Sequence, residues 1–148
     1  MSAKLAWGII GTGNIAKQFA SGVIGSKTGE LLAIGSRTRE SADNFADEFN
    51  VPRRYASYEA LFADPDVQAV YIATPHPMHA DNAVLALEAG KHVLIEKPFT
   101  LTGPEAERVR EVARAQGLLA MEAMWTRYLP HMVRIREIIA AGTLGEIR

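Results

Sequence analysis

Short apolar runs alternate along this chain with stretches whose apolar residues recur at helical spacing, so strand and helix follow one another in turn. Leu5 to Ile10 reads as a buried strand. The helix after it carries Ile15, Phe19 and Val23 at i, i+4 and i+8, which puts them on one face. Glu30 to Gly35 is the second apolar run. Ala42, Phe45, Ala46 and Phe49 mark the next helix face, and Val51-Pro52 ends it, because the residue before a proline is driven out of the helical region. Arg54-Tyr55 reads as a short strand, Ser57 as the N-cap of a small helix holding Leu61 and Phe62, and Asp64-Pro65-Asp66 as a turn. Val67 to Ala73 is the fourth strand, followed by a helix with Ala80, Ala83, Val84 and Leu87 on one face and Gly90 closing it. His92 to Glu96 is the fifth strand. Thr102 and Glu105 have capping-box spacing for a helix running through Val109, Val112 and Ala113 to Gly117. A sixth strand starts at Leu118 to Ala120, a last helix runs from about Pro130 to Ala141, and Leu144 to Arg148 has the look of another strand beginning. Alternation with short connections predicts an α/β fold, a doubly wound parallel sheet with helices on both faces.

At 148 residues the chain can hold one domain with a sizeable core, and 48% hydrophobic with 22% charged residues is an ordinary globular balance. A net charge of −1 with no dense Lys/Arg run argues against non-specific nucleic-acid binding and against attraction to a membrane surface. The absence of cysteine excludes a disulfide framework, a zinc–thiolate site and a cysteine nucleophile. No apolar run approaches the ~20 residues needed to span a bilayer. The first strand begins almost at Met1, which leaves no room for a signal peptide, so a cytoplasmic location is expected. Because a strand start with nothing to pair with is an odd terminus, the chain is expected to be a piece of a longer polypeptide.

Chemistry enters at Gly8 to Ala16, Gly-Ile-Ile-Gly-Thr-Gly-Asn-Ile-Ala, set between the first strand and the first helix. This is the opening of a Rossmann-type dinucleotide-binding unit. Gly11 allows the tight turn, Gly13 lets the backbone approach a pyrophosphate, and Ala16 in place of a third glycine keeps the helix close to the strand. Gly11, Thr12, Gly13, Asn14 and Ile15 are therefore candidate phosphate contacts, with the positive end of the helix behind them. A tight turn without ligand and a methyltransferase loop are the competing readings. NAD-binding folds commonly carry an acidic residue after the second strand. Here Ser36, Arg37 and Thr38 stand there, a set suited to a 2′-phosphate, which favours NADP, with NAD also possible. Arg37 as a plain solvated charge is the alternative.

Thr74-Pro75-His76-Pro77-Met78-His79 follows the fourth strand, and its two prolines bar regular helix or sheet. That end of an open α/β sheet binds ligands, so His76 and His79 line the cofactor cleft or cap the next helix. A metal site is disfavoured because no acidic or third imidazole ligand stands nearby in sequence. Glu96-Lys97-Pro98 ends the fifth strand at the same edge. Lys97 there is expected as a buried amine that can donate to a substrate oxygen and relay a proton, with Glu96 partnering a nearby donor or holding the lysine in place; a snorkelling strand-end lysine is the alternative. Met121 to Tyr128 is too aromatic and charged for simple core, although packing alone would also account for Trp125 and Tyr128.

These stretches resemble, in order, the N-terminal domain of the glucose–fructose oxidoreductase / inositol dehydrogenase (Gfo/Idh/MocA) family. The residues are Trp7 to Ala16, Ala73 to His79, Ala89 to Pro98 and Met121 to Pro130. The last segment is most similar to the branch containing dimeric trans-dihydrodiol dehydrogenase and NADP-dependent D-xylose dehydrogenase. The resemblance implies hydride transfer between a nicotinamide and a sugar, polyol or dihydrodiol alcohol. It implies Lys97 as the catalytic lysine, before a peptide to Pro98 that is often cis. Ser36 and Arg37 would hold the 2′-phosphate, Thr74, Pro75 and His79 would flank the nicotinamide ribose, and Trp125 and Arg127 would border the nicotinamide or its phosphate. The family's His76 position often holds Asn. The family has a second α+β domain, absent here, that covers the active site, adds a catalytic His or Tyr and builds the oligomer. Residues 1–128 are then the dinucleotide domain and 129–148 the approach to the missing one. The alternative is a non-catalytic NADP(H)-binding or sensing module, which the coding sequence beyond Arg148 would decide.

Overall fold

A computed structural model describes residues 4–146. In chain order the elements are β1 (Leu5–Ile10), α1 (Asn14–Ile24), β2 (Gly29–Gly35), α2 (Arg39–Phe49), β3 (Arg53–Tyr55), α3 (Tyr58–Phe62) and β4 (Ala69–Ile72). A 3-10 turn (His76–Met78), α4 (His79–Glu88), β5 (His92–Ile95), α5 (Gly103–Gln116), β6 (Ala120–Glu122), a second 3-10 turn (Trp125–Tyr128) and α6 (Pro130–Ala140) complete the described chain. All five ladders are parallel, in the order β3-β2-β1-β4-β5-β6. The expected doubly wound sheet is thus what forms. The strand order reverses between β1 and β4, which opens a crevice at their carboxyl ends.

Strand alternation divides the apolar residues between two cores. Ile9, Ile34 and Tyr71 face α1 and α2, packed against Ala16, Ala20, Phe45 and Ala46. Ile10, Val70, Ile72, Val93 and Ile95 face α3, α4 and α5, packed against Leu61, Ala83, Leu87 and Val109. Each fully buried Ile or Leu in these layers contributes roughly 1.5–3 kcal/mol. The anticipated caps are present: Ser57 accepts from the Ala60 N–H, and Thr102 and Glu105 form a complete capping box. No helix among the described residues is long and apolar enough to cross a membrane.

Three expectations are corrected. The buried face of α1 is Ala16, Ala20 and Val23; Ile15 is 38% exposed and Phe19 half-buried. The short glycine turn sets α1 close on the sheet, where alanines fit; of the expected face Val23 is buried and Phe19 packs half-buried against the core, stacked on Tyr71. The two prolines after Thr74 permit one 3-10 turn, since each fixes its own φ near the helical value. Leu144 to Glu146 is turn and bend, with Gly145 at φ 72 and bonded back to Gly142; Ile147 and Arg148 lie outside the described residues.

At the amino edge of the sheet Asp64 is almost fully buried. It accepts from Arg53 Nη1 at 2.6 and 2.9 Å, from the Tyr55 hydroxyl at 2.9 Å and from the Asp66 N–H at 3.0 Å. The ammonium of buried Lys91 donates to the Asp64 carbonyl at 2.6 Å. Burial pushes the Asp64 carboxyl up, but the hydrogen bonds from Arg53, Asp66 and Tyr55 more than offset it and hold it below its ordinary range. This cluster joins β3 to the starts of β4 and β5, away from the crevice.

Candidate active site at the carboxyl edge

The crevice starts at the glycine turn. Gly11 adopts φ 93, and its N–H donates to the Gly35 carbonyl at 3.0 Å. A Cβ there would stand 2.6 Å from the Ala73 carbonyl oxygen, so β1 and β4 exit too close together for any side chain. Gly13 is the N-cap of α1 and offers no side chain to its first turn, whereas Thr38, Ser57 and Thr102 cap α2, α3 and α5. Nothing lies within 4 Å of where a Gly13 Cβ would stand. The first N–H groups of α1 therefore face open space, as an anion requires.

A cavity of about 340 Å³ continues from this turn across the ends of β2 and β4. Gly11, Thr12, Gly13, Ser36, Arg37, Thr38, Thr74 and Pro75 line it, as expected from sequence, joined by Ser41 and Tyr58, which were not foreseen. No carboxylate among the described residues lines it. Thr38 has a second occupation: its oxygen accepts the Ser41 N–H, and its hydroxyl donates to Ser41 Oγ at 2.8 Å. Of this pair, the hydroxyl proton left for a ligand is that of Ser41. Burial pushes the Tyr58 phenol up, with the Arg37 guanidinium opposing. A smaller cavity shares Thr12 and Ser41 and carries Glu48, whose carboxylate is taken up by Lys17.

On the other side of the turn lies a cavity of about 460 Å³ against the face of β4, β5 and β6. Ile15, Glu96 and Trp125 reach it, with Phe19, Tyr71, Met121, Met124 and Tyr128 as further walls. Trp125 is 64% exposed and Tyr128 59%, so core packing does not account for them. Glu96 forms the polar floor. It is 8% exposed, accepts the Tyr71 hydroxyl on Oε1 and accepts the Lys97 N–H on Oε2 at 3.0 Å. Glu122, also unforeseen, accepts the Phe99 N–H at 2.8 Å and ties β6 to the segment after Pro98.

Five anticipated residues line neither cavity: Asn14, His76, His79, Lys97 and Arg127. His79 is corrected from cleft to interior. It is fully buried, with Nδ1 2.8 Å from the Pro98 carbonyl and Nε2 2.9 Å from the Thr74 carbonyl. It spans the exits of β4 and β5 from behind, while Asn82 donates to Thr74 Oγ1 at 3.2 Å. His76 is exposed, edge-on to His79 with ring centroids 5.4 Å apart. Lys97 is corrected from a buried to an exposed amine: β5 ends at Ile95, and no part of the described chain covers this edge. The Lys97–Pro98 peptide is cis, as the resemblance implied. Arg127 is exposed in the second 3-10 turn.

A glycine turn at the switch point, an uncapped helix behind it and a hydroxyl- and arginine-lined cavity beside it define a dinucleotide-binding domain. The family model described as "Oxidoreductase family, NAD-binding Rossmann fold" matches residues 5–124, and the chain belongs to this Gfo/Idh/MocA family. Trans-1,2-dihydrobenzene-1,2-diol dehydrogenase of Mus musculus is 41% identical over 146 residues, 97% of this chain and 44% of that protein. D-xylose 1-dehydrogenase (NADP(+)) of Hypocrea jecorina is 42% identical over 156 aligned residues, 97% of this chain and 40% of that protein. The crystal structure of a 3-ketoreductase from Actinomadura kijaniata in complex with NADP is similar at a TM-score of 0.87 and 37% identity, covering 98% of this chain and 46% of that one. The chain spans less than half the length of these relatives.

Proposed function

We propose that this chain is the coenzyme-binding part of an NADP(H)-dependent oxidoreductase acting on an alcohol of a sugar, polyol or dihydrodiol. The observation that carries the reading is the cavity at the end of β2, where Arg37 and the hydroxyls of Ser36 and Ser41 meet with no carboxylate beside them. Those donors fit a 2′-phosphate, which a carboxylate would repel. The open space over Gly13 and the uncapped start of α1 fit a pyrophosphate. When bound, the coenzyme supplies the hydride acceptor or donor.

The chain's own residues divide the work. Gly11, Thr12, Gly13, Asn14 and Ile15 hold the phosphates, and Ser36, Arg37 and Ser41 hold the 2′-phosphate, with Thr38 fixing Ser41. Thr74, Pro75 and His76 border the ribose, while His79 sets the Thr74 carbonyl from behind. Ile15, Glu96 and Trp125 receive the nicotinamide end, with Arg127 at its rim. Lys97, on a backbone fixed by Glu96, donates its proton to the substrate oxygen in one direction and takes it up in the other. Its exposure leaves it accessible to a substrate. Relatives named for dihydrodiol and xylose oxidation support the substrate class. On this reading residues 1–128 are the coenzyme domain and 129–148 lead toward a substrate domain in a cytoplasmic homo-oligomer.

A fluorescence titration of the chain with NADPH and NADH tests the proposal. NADPH binds at least tenfold tighter. Arg37→Ala removes a charge-assisted hydrogen bond of about 1.5–3 kcal/mol, weakening NADPH about 10–150-fold and leaving NADH within about twofold. No binding of either coenzyme, or a preference for NADH, refutes it.

A further inference from the structure

Tyr71 stands in the middle of the sheet, 2% exposed, in a chain segment where an apolar residue would be the ordinary choice. Its ladder partner on β5 is Leu94, so Glu96, two residues further along, lies on the same face one step diagonal to it. A tyrosine is long enough to reach that diagonal neighbour, and its hydroxyl does, donating to Glu96 Oε1. The ring is held from the other side by Phe19, stacked at 3.8 Å between centroids and 13° between planes, and Trp7 meets Phe19 edge-on. Burial and the neighbouring carboxylate keep the Tyr71 phenol protonated far above its ordinary range, so it is a donor at every working pH. With Oε1 fixed in this way, Oε2 is aimed at the backbone N–H of Lys97, which it accepts at 3.0 Å. Among the described residues the Lys97 ammonium itself has no hydrogen-bond or ion-pair partner, and its side chain is exposed. What locates Lys97 is therefore its backbone, and its backbone is held by Glu96 on one side and by the His79 contact to the Pro98 carbonyl on the other.

We propose that Tyr71 is a positioning residue for Lys97, acting through the Glu96 carboxylate from inside the sheet. The proposal rests on the reading of Lys97 as the group that meets the substrate oxygen. Tyr71→Phe removes one oxygen and keeps the ring, its stacking on Phe19 and its place in the core, so it separates the hydroxyl from the packing.

The test is amide hydrogen exchange by NMR on the chain itself, with Tyr71→Phe, Glu96→Ala and the double variant. In Tyr71→Phe the Lys97 amide loses at least tenfold in protection, while the amides of Ile9 in β1 and Ile72 in β4 stay within about threefold. Glu96→Ala produces the same loss at Lys97, and adding Tyr71→Phe to it changes the Lys97 amide by less than about twofold. An unchanged Lys97 amide in Tyr71→Phe overturns the proposal, as does a Tyr71→Phe effect that persists at full size without Glu96. Equal loss at Ile9, Ile72 and Lys97 also overturns it, because that is the signature of a loosened core. Turnover of the full-length protein, assayed with NADP+ and trans-1,2-dihydrobenzene-1,2-diol, adds a second readout. Tyr71→Phe lowers kcat about tenfold and keeps KM for NADP+ within about twofold; unchanged kcat beside a dead Lys97→Ala variant overturns the proposal. Normal turnover in Lys97→Ala removes the functional reading of Lys97, and the amide measurements then still decide whether Tyr71 holds its backbone.

Discussion

Alanine at Gly11 and alanine at Gly13 should have opposite consequences, although the two glycines belong to one turn. At Gly11 the backbone has φ 93, a conformation that costs an L residue about 1–3 kcal/mol. The added Cβ would also stand 2.6 Å from the Ala73 carbonyl oxygen, a backbone atom with no rotamer to retreat into. Ala73 cannot yield freely, because its own N–H donates to the Ile10 carbonyl at 3.0 Å as the last bond between β1 and β4. Forced overpacking of this kind costs about 1–3 kcal/mol. Together the two effects destabilise Gly11→Ala by about 2–6 kcal/mol, a drop in Tm of roughly 6–20 °C for a chain of this size. At Gly13 the backbone, φ −75 and ψ 178, is one that alanine adopts without strain, and nothing lies within 4 Å of the new Cβ. Restricting the unfolded chain stabilises Gly13→Ala by about 0.4–1 kcal/mol and the loss of glycine's N-cap advantage over alanine opposes it by a similar amount, so its stability should stay within about 1 kcal/mol of wild type. The same methyl stands in the space assigned to the pyrophosphate, so NADPH affinity should fall at least tenfold. Thermal melts and NADPH titrations of both variants are the assay. An unchanged Tm in Gly11→Ala refutes the strain argument. Wild-type NADPH affinity in Gly13→Ala refutes the placement of the phosphates.

Asp64 has a carboxyl held below 3.8, so its stabilisation is present above that value and lost as the pH falls through it toward the folded value. Asp64→Asn should cost about 2–3 kcal/mol at pH 7 and flatten the acid limb of the stability curve in urea melts taken from pH 7 downward through the carboxylate range; a wild-type slope would show that the carboxylate does not carry it. Trp125→Ala should keep Tm within about 2 °C, as an exposed substitution does, while weakening NADPH several-fold in the same titration. A loss of the 3–5 kcal/mol typical of a core tryptophan would return Trp125 to the core.

The sheet, its order of elements and the glycine turn were legible in the chain because each rests on local periodicity or on backbone freedom. The Thr102–Glu105 capping box, the Ser57 cap and the arginine after β2 belong to the same class: a few consecutive residues contain the whole argument. The cavity proposed for the 2′-phosphate was half legible. Ser36, Arg37 and Thr38 follow one strand, but Ser41 and Tyr58 arrive from the first turns of two helices, and only packing brings them beside the loop. Periodicity placed Phe19 and Val23 on the packed side of α1 but missed Ala16 and Ala20 and included the exposed Ile15, since spacing allows two neighbouring faces and the closeness of the sheet selects the alanines.

The residues around Lys97 show where the sequence stops. Its place at the end of β5 and its cis peptide to Pro98 agreed with the resemblance, whereas its exposure depends on what covers that edge. His79 reads from sequence like a cleft residue, yet it lies in the interior between two carbonyls from different strand exits. The Tyr71–Glu96 pair is set by the register of β4 against β5, a quantity that no single segment encodes. One chain position therefore determines conformation through its neighbours in sequence, while burial and pairing are decided by strands that meet only after the sheet has closed.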